Sequence, residues 1–376
     1  MDFTELKNYM DRLVTEYNVP GADCIVYKDH KQIFRYFNGK SDIENNKPMC
    51  GDELYLIFSM TKMVTSVCIL QLIERGKCLL NDPISMYLPE FEKMKVSDGI
   101  ITHQTVYAQK NITIKDLLTM CAGFDYDLNA DYIKKSLIAG KTSTIDLVRA
   151  MSNAALGFEP GTRFRYSLCY DVLGGLIEVI SHKKLGEYMK ENIFEPLGMK
   201  HTFFGVPDDV ELLSKMSARY TYGEDGIPKR LPLECVFNFS PEYESGGAGL
   251  VSCTENYAVF LDALACGGTA KNGNKILSAS SVNLMSMNHL KEKQYEDFQH
   301  LLKGYGYGFG VRTHVDKTES GSLSPIGEFG WDGAAGAFSL VDIGNGVSMT
   351  YFQEIHGWKR RIQSEMRNVL YSCLGH

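Results

Sequence analysis

The stretch Phe58-Ser59-Met60-Thr61-Lys62-Met63 decides how this chain is read. A serine followed three positions later by a lysine, at the start of a helix, sets both side chains on one face of one turn. A serine hydroxyl is a poor nucleophile at neutral pH and needs a neighbouring base to take its proton. Lysine serves as that base once burial or a second cation lowers its pKa. The same spacing recurs at Ser181-His182-Lys183-Lys184, so context has to separate the two. Ser59 follows the apolar run Leu54-Tyr55-Leu56-Ile57-Phe58 and precedes Val64, Val67, Cys68, Ile69, Leu72 and Ile73. That spacing predicts a buried helix stopped at Gly76. At its N-terminus, free N–H groups and the helix dipole favour a developing negative charge. Ser181 falls at the end of a helical pattern, in a charged and solvated stretch. Read locally, Ser59 is either a nucleophile or an ordinary N-cap.

Outward from this turn, the pattern changes twice. Ala22–Tyr27 and Gln32–Phe37 flank Lys28-Asp29-His30-Lys31, a hairpin signal. Helical patterns then dominate, with examples at Ile114–Met120, Thr144–Ala154, Tyr170–Ile180 and Glu255–Ala265. Near the C-terminus, Tyr307–Thr313, Ala337–Val341 and Val347–Phe352 read as strands between glycine-rich turns, and a last helix is expected over Lys359–Leu374. The expected fold is α+β: an antiparallel sheet built from both termini, flanked by helices, with a large mostly helical insertion and a cleft at the junction. One unit of 376 residues is expected, with 1–58 and 300–376 forming an α/β subdomain and 59–299 a mostly helical one.

Composition narrows the function classes. The chain is 44% hydrophobic and 23% charged, as soluble globular proteins are. Net charge is −7, and no lysine-arginine cluster stands out, which argues against nucleic acid as a partner. The N-terminus shows no apolar signal core, and no run approaches a membrane span, so no membrane partner and a cytoplasmic location are expected. Ten dispersed cysteines without a C-x-x-C pair read as free thiols.

An acyl-transfer serine also needs an acid for the leaving group and donors for the oxyanion. In Pro160-Gly161-Thr162-Arg163-Phe164-Arg165-Tyr166-Ser167-Leu168, a turn and a short extended segment present Tyr166 at the start of a helix. Beside a lysine, a tyrosine is tuned down from about 10 and can shuttle a proton; alternatively, it is a packed tyrosine with its hydroxyl satisfied. Glu328-Phe329-Gly330-Trp331-Asp332-Gly333-Ala334-Ala335-Gly336 is rich in small residues that let backbone approach a substrate, or is simply a glycine-rich hairpin.

Taken in order, these three elements resemble the serine β-lactamase-like superfamily of class C β-lactamases, DD-peptidases and family VIII carboxylesterases. The family's S-x-x-K matches Ser59 to Lys62, its Y-x-N falls on Tyr166-Ser167-Leu168, and its K-T-G falls on Trp331-Asp332-Gly333. The segments Leu79–Pro89, Ile114–Phe124, Gly246–Leu250 and Gly304–Gly310 look similar too. The resemblance implies Ser59 as nucleophile, Lys62 and Tyr166 as the proton-transfer pair with the base undecided, and the N–H groups of Ser59 and Ala334 as the oxyanion hole. It implies substrate-facing positions at Leu168, Trp331, Asp332 and Gly333. No cofactor and no metal are expected, and the nine histidines show no H-E-x-x-H spacing.

The departures set the substrate expectation. Leu168 lacks the amide of the family's asparagine, and Trp331 lacks the charge of its lysine. Asp332 would repel a substrate carboxylate by about 1 to 4 kcal/mol at 4 Å. These changes resemble the carboxylesterase branch, although its usual W-G-G lacks the aspartate. The expected function is hydrolysis of a small or medium ester. The alternatives are a β-lactamase or DD-peptidase-like amide hydrolase, and a non-catalytic binding protein on the same scaffold. Oligomeric state stays open. Asp125–Ser143 and Tyr220–Ser245 are expected to line the cleft, with Tyr220, Tyr222, Phe237, Phe239 and Tyr243 as either an aromatic wall or a packing cluster.

Overall fold

Two β-prone runs fold back on each other through Asp29 and His30, which both take positive φ, 47° and 64°. That two-residue turn matches the twist of the strands it joins. The strands are Gly21–Lys28 and Lys31–Asp42, paired antiparallel with a register shift at Val26/Tyr27. The computed structural model describes residues 1–97 and 105–375. Within them, Val347–Phe352 pairs antiparallel with Gly21–Lys28, placing Ile25 opposite Thr350. Chain ends thus meet in the middle of one sheet of eight strands. Its order is Tyr305–Tyr307, Arg312–His314, Phe329–Gly330, Phe338–Asp342, Val347–Phe352, Gly21–Lys28, Lys31–Asp42 and Lys47–Pro48.

The single strand expected over Tyr307–Thr313 is instead a hairpin, Tyr305–Tyr307 against Arg312–His314. Gly310 explains the difference. It takes φ +72°, and a Cβ there would lie 2.6 Å from the Tyr170 hydroxyl. Only glycine permits this turn at that approach.

Both faces of the sheet are covered. Leu6, Met10 and Leu13 of the Thr4–Thr15 helix, with Met366 and Leu370 of Arg361–Leu374, pack on Cys24, Val26, Leu340 and Met349. The Thr254–Ala265 helix packs on the opposite face, against the three central strands. Val347–Phe352 is therefore buried throughout, even though its sequence alternates Val347, Met349 and Tyr351 with the polar Ser348 and Thr350. The Thr61–Glu74 helix is buried from Thr61 to Leu72. A small sheet joins Tyr55–Leu56 to Leu250–Ser252, so the residues leading to Ser59 are held by backbone hydrogen bonds. No helix among the described residues is long and apolar enough to cross a membrane.

Candidate active site

Ser59 sits in a 3-10 turn, Phe58–Met60, that feeds the Thr61–Glu74 helix. The cap position of that helix is Met60, so Ser59 is not spent as an N-cap. Phe58, immediately before it, takes φ +45°. For a bulky residue this left-handed backbone is an outlier, costing about 1–3 kcal/mol, and it persists only where the surroundings over-determine it. Here the Ile57 N–H donates to Leu250 O at 3.1 Å, and the Phe58 ring packs edge-on against Phe237 and His356.

Lys62 is fully buried. Its ammonium donates to Ser59 Oγ at 3.2 Å, to Gly247 O at 2.7 Å and to the Tyr126 hydroxyl at 3.5 Å. It also lies 4.7 Å from the centre of the Tyr166 ring. Asp171, buried on the first turn of the Cys169–Ser181 helix, takes hydrogen bonds from Tyr243 Oη at 2.7 Å and Ser245 Oγ at 2.6 Å. Burial pushes its carboxyl up, while the Ser245 hydroxyl and the Lys62 charge oppose the shift. Gly247 separates the two charges. A Cβ there would stand 2.7 Å from Asp171 Oδ2 and 3.5 Å from Lys62 Nζ, so glycine is required for the approach.

Tyr166 is stacked between Tyr126 and Trp331, each with ring centres 5.6 Å away. The Trp331 indole N–H donates to the Tyr166 hydroxyl oxygen at 3.1 Å. The phenol's own proton is thereby left for another acceptor. Tyr126 is the residue that sequence reasoning missed. It reaches both Lys62 and Ser59, and burial holds its hydroxyl well above the usual tyrosine range.

The third element runs from the Phe329–Gly330 strand into a tight loop. Gly333 N–H donates to Ala337 O at 2.8 Å and Gly336 N–H to Gly333 O at 3.0 Å. A Cβ on Gly333 would lie 2.9 Å from Ile57 O, so this loop is pressed against the Ser59 segment. Among the described residues, neither the Ser59 nor the Ala334 N–H is spent on a turn or loop backbone hydrogen bond. Asp332 is ion-paired to Arg312 at 3.0 Å, with its side chain 23% exposed. Burial raises its carboxyl, and Arg312 opposes that rise.

Ser59, Tyr166, Trp331, Asp332, Gly333 and Ala334 line one cleft of about 290 Å³, walled by Phe298, Leu301, Leu302, Trp358 and Arg360. Leu168 does not line it; it is 2% exposed and heads the Cys169–Ser181 helix. Larger surface grooves exist, one of about 710 Å³ between Lys47 and Arg230, but they contain neither Ser59 nor Tyr166. Tyr220 and Tyr222 point away to Glu44 and to Tyr17 O, Tyr243 is tied to Asp171, and Phe237 packs on Tyr126. They form packing contacts rather than an aromatic wall. Among the described residues, two groupings of His, Cys and carboxylates close enough to share an ion, His30/Asp262/Cys266 and Cys50/Asp52/Glu53, lie outside the cleft lining.

Behind Phe58 lies a buried ionic cluster. Arg219 Nε is 3.8 Å from Glu354 Oε1, and Arg219 Nη2 is 3.0 Å from His356 Nε2. Burial pushes Glu354 up to about 8 and, with the Arg219 charge, pulls His356 down to about 4. Folded Glu354 holds its proton more tightly than the unfolded chain does. The stability it confers is complete below its ordinary pKa near 4.5 and is lost as pH rises toward 8. Folded His356 holds its proton less tightly, so its contribution is complete above 6.5 and is lost as pH falls toward 4. Glu354→Gln is expected to flatten the alkaline limb of stability and leave the acid limb intact, read from urea midpoints between pH 5 and 9.

Comparison with known proteins bears on the family and the fold. The Beta-lactamase family profile matches residues 6–369. Esterase EstB of Burkholderia gladioli is 26% identical over 366 residues, 90% of this chain and 87% of that protein. An uncharacterised protein of Mycobacterium tuberculosis is 30% identical over 337 residues, 86% of this chain and 82% of its own length. Among solved structures, EstCE1, a hydrolase with promiscuous acyltransferase activity, superposes with a TM-score of 0.81 at 23% identity, covering 98% of this chain and 97% of the other. Unliganded simvastatin synthase from Aspergillus terreus, as its selenomethionyl derivative, gives 0.82 at 20% identity, covering 99% and 98%. Sequence order, sheet topology and the profile match converge on one conclusion: the chain belongs to the Beta-lactamase family of hydrolases.

Proposed function

We propose that this protein is a carboxylesterase that hydrolyses a small or medium ester through an acyl-enzyme on Ser59. The observation that carries the reading is Lys62 Nζ, buried and 3.2 Å from the Oγ of Ser59, which itself lines the cleft. Lys62 and Tyr166 together take the hydroxyl proton as Ser59 Oγ attacks the carbonyl and pass it to the leaving alkoxide. The Ser59 and Ala334 N–H groups bind the oxyanion. Water then attacks the acyl-enzyme, with Tyr166 as its base, and Ser59 leaves with a proton restored. An ester is favoured over a β-lactam because the third motif offers an indole already bonded to Tyr166 and a carboxylate already paired to Arg312. Neither attracts a substrate carboxylate; the cation in the cleft lining, Arg360, lies outside that motif. The relative named as an esterase supports the same choice.

The test is a panel of p-nitrophenyl esters of graded chain length beside nitrocefin, with fluorophosphonate labelling mapped by peptide mass. Turnover highest for short and medium esters, with the label on Ser59, is expected. Nitrocefin turnover above that of every ester would move the reading to a β-lactamase. An unlabelled, folded protein with no turnover would make it a non-catalytic scaffold.

A further inference from the structure

The turn carrying Ser59 and the loop carrying Ala334 come from distant parts of the chain. An oxyanion hole works only while its two N–H groups keep their separation within about 0.5 Å. One segment, Gln353–Trp358, touches both sides. Toward Ala334, the Ile355 N–H donates to Ala335 O at 3.1 Å, and the Gln353 side-chain amide donates to the same oxygen at 3.3 Å. The Trp358 indole donates to Ala334 O at 3.1 Å. Tyr351 Oη donates to Gln353 Oε1 at 2.7 Å and orients that amide. Gly336, at φ +90°, rests directly on it: a Cβ there would overlap the amide nitrogen.

Toward Ser59, the Leu56 N–H faces the Glu354 carboxylate. Glu354 and His356 flank Arg219, whose guanidinium lies 5.5 Å from the centre of the Phe58 ring, with the His356 ring 5.3 Å away. Phe58 is the left-handed residue directly before the nucleophile, and its relaxation would swing the Ser59 N–H. Glu354 is buried, and neither of its oxygens makes a hydrogen bond of good geometry. Such a costly group is unexplained by packing alone.

We propose that Gln353–Trp358 is a strut shared by both halves of the oxyanion hole, with Glu354 positioning Ser59 through Arg219 and Phe58, and Gln353 positioning Ala334 through Ala335. This rests on the Ser59 acyl-enzyme reading. Neither positioning residue lines the cleft, so substrate binding should be spared while stabilisation of the oxyanion is lost.

Glu354→Ala and Gln353→Leu are compared with Glu354→Gln, using p-nitrophenyl butyrate hydrolysis and inhibition by phenylboronic acid, which adds to the serine and places an oxygen in the oxyanion hole. Glu354→Ala and Gln353→Leu should each lower kcat at least tenfold with KM within threefold, and raise the boronate Ki by a matching factor. Glu354→Gln, which keeps the shape, should stay within threefold of wild type. Unchanged kcat and Ki in either folded variant, or a loss confined to KM, overturns the strut. Should Glu354→Ala not fold, Gln353→Leu decides by the same criterion. Fluorophosphonate labelling of wild-type Ser59 is scored separately: its absence sinks the acyl-enzyme reading, whereas labelling with unaffected variants sinks only the strut.

Discussion

Ser59→Ala and Lys62→Met are each expected to lower kcat for p-nitrophenyl butyrate by at least about 10³-fold, equivalent to about 4 kcal/mol of transition-state stabilisation. The double variant should be little worse than either single one. A nucleophile and a member of its proton-transfer pair act as one unit, so their losses do not add. The geometry gives the reason. Lys62 Nζ makes its hydrogen bond to Ser59 Oγ at 3.2 Å, while Gly247 O at 2.7 Å and Tyr126 Oη at 3.5 Å hold the ammonium in place. Without Lys62, Ser59 keeps Tyr126 as a neighbour, whose hydroxyl is held well above the usual tyrosine range by burial and is a poor acceptor in its neutral form. Lys62→Met also leaves Asp171 buried without the cation that favours its charged form. Adding Asp171→Asn to Lys62→Met should therefore recover stability in urea without recovering turnover. A folded Lys62→Met protein within tenfold of wild type would remove lysine from the mechanism, and additive losses in the double variant would show that the pair does not act together.

What the sequence made legible and what it did not follows the distance over which each interaction acts. The central hairpin was readable because Asp29-His30 supplies its own turn. Ser59 and Lys62 were readable because three residues of helix bring them together. Their other partners come from far along the chain: Tyr126 lies 64 positions from Lys62, and Gly247 lies 185. Asp171 left a weak trace, as one of two acids, with Glu178, in the largely apolar helical pattern Tyr170 to Ile180. Tyr126 fell inside the segment expected to line the cleft, Asp125–Ser143, but nothing singled it out among 21 tyrosines. The left-handed backbone at Phe58 was not readable either, since local preference for an aromatic residue points the other way and only tertiary packing enforces it. Asp332 was readable as a departure from a family pattern, but its partner was not. The carboxylate expected to face substrate is held by Arg312, which is inward and 1% exposed.

That partner is the basis of the second large effect. Arg312→Met is expected to destabilise the protein by about 3–5 kcal/mol, because it breaks a buried ion network rather than a surface pair. Arg312 donates to Glu328 at 3.1 Å and to Asp332 at 3.0 Å, and Arg367 Nε lies 3.2 Å from Glu328. Two guanidinium groups thus balance two carboxylates, and Glu328 is 0% exposed. Both guanidinium groups also lie 5.0 Å from the centre of the Phe338 ring. Removing Arg312 takes the direct cation partner from Asp332 and leaves the fully buried Glu328 with Arg367 alone, in a setting too dry to solvate its charge. The loss should reach the cleft as well. Arg312 Nη2 donates to Ser339 O at 2.8 Å, and the Ser339 hydroxyl holds Trp331 through both its N–H, at 2.9 Å, and its carbonyl, at 2.7 Å. Trp331 in turn holds Tyr166. Turnover should therefore fall along with stability. Adding Glu328→Gln restores the charge balance and should recover at least half of the lost stability in urea unfolding, while turnover stays low because the Ser339 contact is not rebuilt. A single variant that loses less than about 1 kcal/mol, the range of an exposed pair, would show that the network is solvated in solution. Stability that falls further with Glu328→Gln would show that excess negative charge is not what the arginine relieves.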